Sequence, residues 1–393
     1  MQAVILAAGK STRTYPLTVE TPKVLLKVLD KTLLEHNLEQ LRGLINEVII
    51  IVGFKKEMVI ETLGEKYADI KIKYVEQKEQ LGTGHALLEV EKLIKDKFFV
   101  LAGDDLYSGG DIKKLLVYKY AALYSEVDDP SRFGVFIEDG SKVKGIIEKP
   151  KEFISNKANI SCYIMDKDIF PILKSVKKSE RDEIELTDAI TEIATNGDLF
   201  IEKVNDYWLP IGYPWNLLEA NVYLLKDIKH TIKGKIEDYV TITGNVHIGA
   251  DTIIKSGTYI EGPVFIGNNC VIGPNAYIRP DTLIYDNCRI RAEVVDSIIM
   301  EGTTAKHHSY IGHSIIGKKC NIAAGTITAD YRHDSGIHRC IIKDKLIDTG
   351  RKKLGTMMGD RVKTGINTSF FPGCKIWPGK TTLPGEVAKN EIK

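Results

Sequence analysis

Isoleucine stands at every sixth position from 242 to 290: Ile242, Ile248, Ile254, Ile260, Ile266, Ile272, Ile278, Ile284 and Ile290. An amphipathic helix repeats near 3.6 residues and a half-buried strand near 2, so neither produces this period. Six residues do make one short strand and one bend, and three such sides close one coil of a parallel β-helix. Each Ile then points inward and stacks on its equivalent in the next coil. The positions that follow supply turn-forming residues, as in "IGNN", "IGPN" and "IRPD". The register is irregular after Glu293 and returns at "SYIGHSIIGKKCNIAAGTITAD" and near "TGINTSFFPGCKIWPG".

The chain before the hexads obeys other rules. Short apolar runs ("AVILAAG", "EVIIIVGF", "KIKYVEQ", "KFFVLAGDD") alternate with helical patterns ("LLEHNLEQLRGL", "HALLEVEKLI", "ELTDAITEIA"). That alternation predicts βαβ units and a mostly parallel sheet, an α/β domain. A chain of 393 residues is also long for a single core. We therefore expect an α/β domain over 1–227, a linker over 228–239 and a β-helix over 240–393. The 54 basic residues nearly balance the 53 acidic ones, which argues against broad nucleic-acid or membrane binding. The six cysteines lack metal-ligand spacing and read as reduced, buried apolar residues. With no leader pattern at "MQAVILAAG" and no apolar run of membrane length, a cytoplasmic protein is expected.

"LAAGKSTR", residues 6–13, follows a strand and opens a glycine-containing loop. Such a loop can offer backbone N–H groups to a phosphate, with Lys10 and Arg13 adding charge. Taken alone it reads more readily as a plain strand-to-helix turn. It is neither a Walker loop nor the three-glycine dinucleotide fingerprint. The longer stretch "LAAGKSTRTYPLT", however, resembles the "LAAGxGTRxxPLT" signature of the sugar-1-phosphate nucleotidylyltransferases. "TPKVLLKV", "EQLGTGHAL", "LAGDDL", "FGVF", "GIIEKP", "ANISCY" and "YWLPIG" then follow in that family's order. The resemblance implies a Rossmann-like nucleotidyltransferase domain in which Leu6, Ala8 and Gly9 contact the nucleotide and Gln77, Gly82 and Thr83 read its base. It makes Arg13 and Lys23 the groups that neutralise phosphate charge, Asp104 the Mg²⁺ ligand, and Gly134, Glu148, Asn159 and Tyr163 the sugar contacts. The "GTGHA" form most resembles the uridylyltransferases acting on N-acetylglucosamine 1-phosphate. Ser11 and Ser161 stand where the family has glycine, Thr14 where it has an apolar residue, and Pro210 where it has a metal-binding aspartate. Asp206 lies four residues earlier, about 13 Å along a strand, too far to substitute directly.

In the hexad half, "AKHHSYIG" followed by "NIAAGT" is similar to the acetyltransferase half of the bifunctional uridylyltransferases and to hexapeptide-repeat, left-handed β-helix proteins. A lone histidine on such a wall is more often a surface or packing residue. The resemblance instead implies His307 as general base, removing a proton from a sugar amine that attacks acetyl-CoA, a role suited to a group titrating near neutral pH. Strand alternation predicts that His308 points the other way. Asn321, Tyr310 and Arg279 align with substrate contacts, and Ala324 and Lys353, with Lys352 beside it, with acetyl-CoA contacts. Val295 or Asp296 occupies the place of a phosphate-binding lysine, and Asp330 that of an asparagine. An acidic residue there repels a sugar phosphate or favours an ammonium.

These features together predict a bifunctional enzyme. It would transfer a uridylyl group from UTP to N-acetylglucosamine 1-phosphate with Mg²⁺, releasing pyrophosphate, and acetylate glucosamine 1-phosphate with acetyl-CoA; UTP or dTTP, a sugar 1-phosphate and acetyl-CoA are the small-molecule partners. A homotrimer built through the β-helix, and no nucleic-acid or membrane partner, are expected with it. The alternatives are a monofunctional glucose-1-phosphate uridylyl- or thymidylyltransferase whose β-helix only assembles subunits, and a non-catalytic scaffold.

Overall fold

The computed structural model describes every residue except Ser141 and Glu180. The chain forms two compact units, one of residues 1–10, 24–26 and 31–210, the other of residues 11–23, 27–30 and 211–393.

In the first unit the apolar runs become the parallel centre of a ten-stranded mixed sheet. Gln2–Ala7 lies between Glu47–Val52 and Phe98–Ala102, and Ile70–Glu76 follows beyond Glu47–Val52. Val4, Ile5, Ile49 to Ile51 and Phe98 to Leu101 are completely buried, so both sheet faces are covered. That is why these strands read as continuous apolar runs rather than alternating ones. Helix Leu33–Leu41 starts on a reciprocal cap between Thr32 and Glu35 and buries Leu34, Leu38 and Leu41. Lys157–Met165 runs antiparallel to Phe98–Ala102. The four parallel strands end together at Ala7, Val52, Glu76 and Ala102, so the residues after them line one sheet edge. Ligands of open α/β sheets bind outside such carboxyl ends.

The second unit holds the β-helix. Its walls are three parallel sheets of nine, five and eight short strands, as expected of a left-handed β-helix of hexapeptide repeats. Ile248, Ile266 and Ile284 stack on one side, Ile254, Ile272 and Ile290 on the second, Ile260 and Ile278 on the third. These eight are 0–1 % exposed, and each stabilises the prism by about 1.5–3 kcal/mol. Ile242 stays half-buried, on the coil where the stack begins. The coils start within the stretch read as a linker, because Thr231–Ile232 and Lys235–Ile236 already pair with the next coil. Helix Asn216–Leu225 groups with this unit, and Asn221 donates to the Asp281 carbonyl at 3.1 Å.

The irregularity after Glu293 has a structural cause. Ile278 pairs with Val294, and Ile284 with Ile299, so sides shorter than six residues enter the coil. Ile316 then pairs with Met358, and the intervening insertion carries a hairpin of Arg339–Ile342 and Lys345–Asp348. All six cysteines are unpaired and buried. Among the described residues, no helix is long and apolar enough to cross a membrane.

Candidate active sites

The loop after Gln2–Ala7 is shaped by its neighbours. The Ala8 carbonyl accepts from Phe54 N at 3.2 Å and from Gln80 Nε2 at 2.8 Å. A Cβ on Gly53 would sit 2.7 Å from that oxygen, so glycine is needed where the two strand ends converge. Gly103 N donates to the Leu6 carbonyl at 2.9 Å. Leu6 and Ala8 are therefore pinned from both sides, and Gly9 is left exposed. Gln80, Gly53 and Gly103 do this work without having been singled out in the sequence.

Gln77, 6 % exposed, directs Nε2 to the Gly82 carbonyl at 3.0 Å. Gly82 opens helix Thr83–Leu88 with φ +104°, and a Cβ there would meet the Ile184 carbonyl at 2.4 Å. Thr83 Oγ1 accepts from Leu186 N at 3.1 Å. The base-reading candidates thus form one packed turn at the sheet edge.

On the sugar side, Gly134 pairs with Glu148, whose carboxylate lies over the glycine where a Cβ would be 2.8 Å from Oε2. Asn159 Oδ1 accepts from Tyr163 Oη at 2.8 Å and from Ser161 N at 3.2 Å. Burial raises the Tyr163 phenol well above its ordinary pKa, so it stays a donor. Ser161 has φ +56° within an irregular stretch of strand pairing, and Ser11 has φ +52°. Both positions where the family has glycine are left-handed here. An L-residue there costs about 1–2 kcal/mol. Ser161→Gly should accordingly raise unfolding free energy by about 1 kcal/mol in a denaturant titration; a loss of stability would show that the serine side chain contributes more than its backbone costs.

The fit to a divalent cation is partial. Asp104 follows Phe98–Ala102 and is partly exposed. Its neighbour Asp105 accepts from Trp208 Nε1 at 3.0 Å and stands opposite Pro210 in a short antiparallel ladder. Asp206 is tied by its backbone N–H to Asp111 at 3.0 Å and is not part of that ladder. Among the described residues, no group of three or more His, Cys, Asp or Glu can hold a metal. This donor set suits Mg²⁺ arriving with a triphosphate, which leaves most of its coordination to phosphate oxygens and water.

Arg13 and Lys23 group with the second unit. The loop holding Arg13 is closed by the Thr14 and Thr18 hydroxyls, which both donate to the Ser11 carbonyl at 2.7 and 2.8 Å. Arg13 is exposed, with its guanidinium 5.8 Å from the Tyr213 ring centroid. Lys23 is only 4 % exposed.

On the β-helix, His307 and His308 sit on a bend before strand Tyr310–Gly312, and both are exposed. Strand alternation does not apply at a bend, so the expectation that they point to opposite sides is replaced by one of two neighbouring exposed rings. The His307 ring has no partner among the described residues. Tyr310 lies over Glu293 of the preceding coil. Arg279 Nη1 pairs with Glu293 Oε1 at 3.0 Å, and its guanidinium is 5.6 Å from the Tyr277 ring centroid. Asn321 is exposed and accepts from Thr304 Oγ1 at 3.0 Å. The Ala324 carbonyl accepts from Asn367 N at 2.8 Å, and Lys352 and Lys353 are exposed.

Behind Tyr310 is a polar row in which the sequence marked Asp296 and Asp330 but not His313 or Arg351. Tyr310 Oη donates to Asp330 Oδ2 at 2.7 Å. His313 Nδ1 lies 2.8 Å from Asp296 Oδ2, and Arg351 Nη2 lies 2.5 Å from the same oxygen. Asp296 is therefore buried against a cation inside the wall and is no repulsive group in an open pocket.

Two family models match the chain: "Nucleotidyl transferase" over residues 2–227 and "GMPPB C-terminal domain" over residues 259–392. The "Bifunctional protein GlmU" of Methanococcus maripaludis (strain C7) is 45 % identical over 401 residues, covering 100 % of this chain and 96 % of that protein. The "Bifunctional sugar-1-phosphate nucleotidylyltransferase/acetyltransferase" of Sulfurisphaera tokodaii is 38 % identical over 400 residues, covering 100 % and 98 %. Among solved structures, a putative glucose-1-phosphate thymidylyltransferase from Bacillus anthracis, in complex with a sucrose, matches with TM-score 0.54 and 30 % identity. That match covers 59 % of this chain and 98 % of the other.

Proposed function

The chain belongs to the sugar-1-phosphate nucleotidylyltransferase family, in its bifunctional form with an acetyltransferase half, and we propose that it makes UDP-N-acetylglucosamine in two steps. Glucosamine 1-phosphate is acetylated from acetyl-CoA on the β-helix, and the product accepts a uridylyl group from UTP on the α/β domain with release of pyrophosphate.

The observation that carries the first site is the shared sheet edge. Ala8, Gln77 and Asp104 follow parallel strands that end together, and Asn159 lies at the start of the strand antiparallel to Phe98–Ala102. A nucleotide bound along that edge brings its α-phosphate toward the sugar contacts. The sugar phosphate oxygen attacks phosphorus in line, and pyrophosphate leaves. No protein nucleophile is required, so catalysis rests on positioning and charge. Gln77 and the Gly82–Thr83 turn hold the base, while Glu148 and Asn159 hold sugar hydroxyls. Asp104 would hold Mg²⁺, which neutralises phosphate charge when bound; Arg13 and Lys23 serve the same end as fixed cations. On the β-helix, His307 takes the proton of the attacking amine.

The deciding experiment pairs glucosamine, N-acetylglucosamine, galactosamine and glucose 1-phosphates with UTP and dTTP, and measures pyrophosphate and CoA release together. UDP-N-acetylglucosamine as the preferred product, with CoA release from glucosamine 1-phosphate, is the expected result. Pyrophosphate release without any CoA release would reduce the β-helix to an assembly module. Preference for glucose 1-phosphate would replace the substrate assignment.

A further inference from the structure

We propose that Glu301 and Arg361, both on the β-helix, are positioning residues for nucleotidyl transfer: they pin the segment 20–27 on either side of Lys23 and so hold that lysine for the pyrophosphate group. This rests on reading Lys23 as a cation that serves the leaving pyrophosphate.

The segment is divided between the two units. Residues 11–23 and 27–30 group with the β-helix, whereas Val24–Leu26 group with the α/β unit, where Val24 and Leu25 join its apolar core. Little regular structure holds the stretch. Bends run over 19–21, one short helical turn spans Lys23–Leu25, and Lys27–Val28 makes only a two-stranded ribbon with Lys31–Thr32. Its ends are held by charge instead. Arg361 Nη2 donates to both carboxylate oxygens of Glu20, at 2.6 and 2.7 Å. Lys27 Nζ donates to Glu301 Oε1 at 2.7 Å and lies 5.6 Å from the ring centroid of Tyr285, itself buried. Lys23 stands between these two clamps in the chain and is buried as well.

The β-helix supplies the spacing. Lys319 N donates to the Glu301 carbonyl and Arg361 N to the Lys318 carbonyl, so the two anchors lie along one corner of the prism, two coils apart. At a strand spacing of about 4.8 Å that is roughly 10 Å. The residue steps from Glu20 to Lys27, fully extended, would span about 23–25 Å. The chain between the clamps is therefore gathered into a compact bend, with Lys23 inside it. The corner itself is left-handed on successive coils, at Asn287, Gly302, Lys319, Arg361 and Gly379. Glycine or asparagine suits such a corner best, so the turn does not explain an arginine at 361, and its bond to Glu20 does.

The pairs contribute little to the fold. Exposed ion pairs add little stability, and the Arg361 and Glu20 side chains are 51 % and 38 % exposed. What the two pairs accomplish is to remove freedom from the bend that carries Lys23. Transfer without a protein nucleophile depends on where fixed charge meets the leaving group, and a displacement near 1 Å can cost about a hundredfold in rate.

Charge reversals test this in the full-length protein, assayed in the reverse direction so that pyrophosphate is a substrate. Arg361→Glu and Glu301→Lys should each lower kcat/KM for pyrophosphate roughly ten- to hundredfold. KM for the nucleotide sugar found by the product screen, CoA release and melting temperature should hold. Combining Glu20→Arg with Arg361→Glu, or Lys27→Glu with Glu301→Lys, should restore most of the loss. Adding either reversal to Lys23→Ala should cost nothing further, because substitutions that act through one group are not additive. Unchanged pyrophosphate kinetics in either reversal overturns the proposal. So does a loss that the swapped pairs fail to restore, or one that comes with a lowered melting temperature. Full activity in Lys23→Ala removes the role given to Lys23, and the proposal with it. An impaired Lys23→Ala in which the reversals still cost their full factor overturns the positioning claim alone.

Discussion

Replacing His307 with alanine is expected to cut CoA release by ~100- to 10,000-fold, the contribution of a positioned general base. Pyrophosphate release from UTP and N-acetylglucosamine 1-phosphate should stay near the wild-type rate, because that reaction is assigned to the other domain. The structure makes the variant a clean probe. His307 is exposed on a bend and its ring has no partner among the described residues, so its removal leaves neither a cavity nor a stranded polar atom. Surface changes of this kind usually alter stability by under about 0.5 kcal/mol, and an unchanged melting temperature verifies that activity alone was lost. His308→Ala is the matched control, equally exposed one position on. If His308→Ala is the inactive variant, the alignment on Tyr310 is displaced by one residue. If neither substitution matters, the β-helix only assembles subunits.

How legible the molecule was from its sequence depends on the range of the signal. The inward isoleucines could be read because each obeys a local rule of six, and eight of the nine are fully buried. The shortened coils after Ile290 escaped that rule, since deleting one or two residues from a side shifts the register without changing composition. The strand runs of the α/β domain were visible for a similar reason: burial on both faces requires unbroken apolar stretches. The left-handed serines were visible only as departures from a signature, and their φ angles supply the reason for glycine there. Of the row behind Tyr310, Asp296 and Asp330 were visible as departures from the family, but the parts played by His313 and Arg351 were not. Arg351 reaches Asp296 from 55 positions away, across an insertion whose path no short pattern records, and a histidine at a bend carries no mark of what it will face. Gln80 was overlooked because its role, bonding the Ala8 carbonyl, depends on two strand ends meeting.

Asp104→Ala should lower uridylyl transfer by about 100-fold or more, the usual loss when one preorganised electrostatic group is removed from a charged transition state. The expectation is strong here because few carboxylates are placed to help. Asp105 is engaged by the Trp208 indole, Asp206 is anchored toward Asp111, and position 210 is a proline. An undiminished steady-state rate in Asp104→Ala would remove Asp104 from the mechanism. Pro210→Asp is the complementary experiment. It places a carboxylate opposite Asp105 in the same ladder, next to Asp104 in the chain. Like charges gathered there raise the cost of the metal-free state, while a divalent cation relieves it. The variant should therefore show a melting temperature that rises with Mg²⁺ more steeply than the wild type's, and half-maximal velocity at a lower Mg²⁺ concentration. Both readouts follow from the same coulombic term, so they should move together. A variant that folds normally yet gains neither response would mean that the triphosphate and Asp104 already satisfy the cation, and that proline at 210 costs this enzyme nothing.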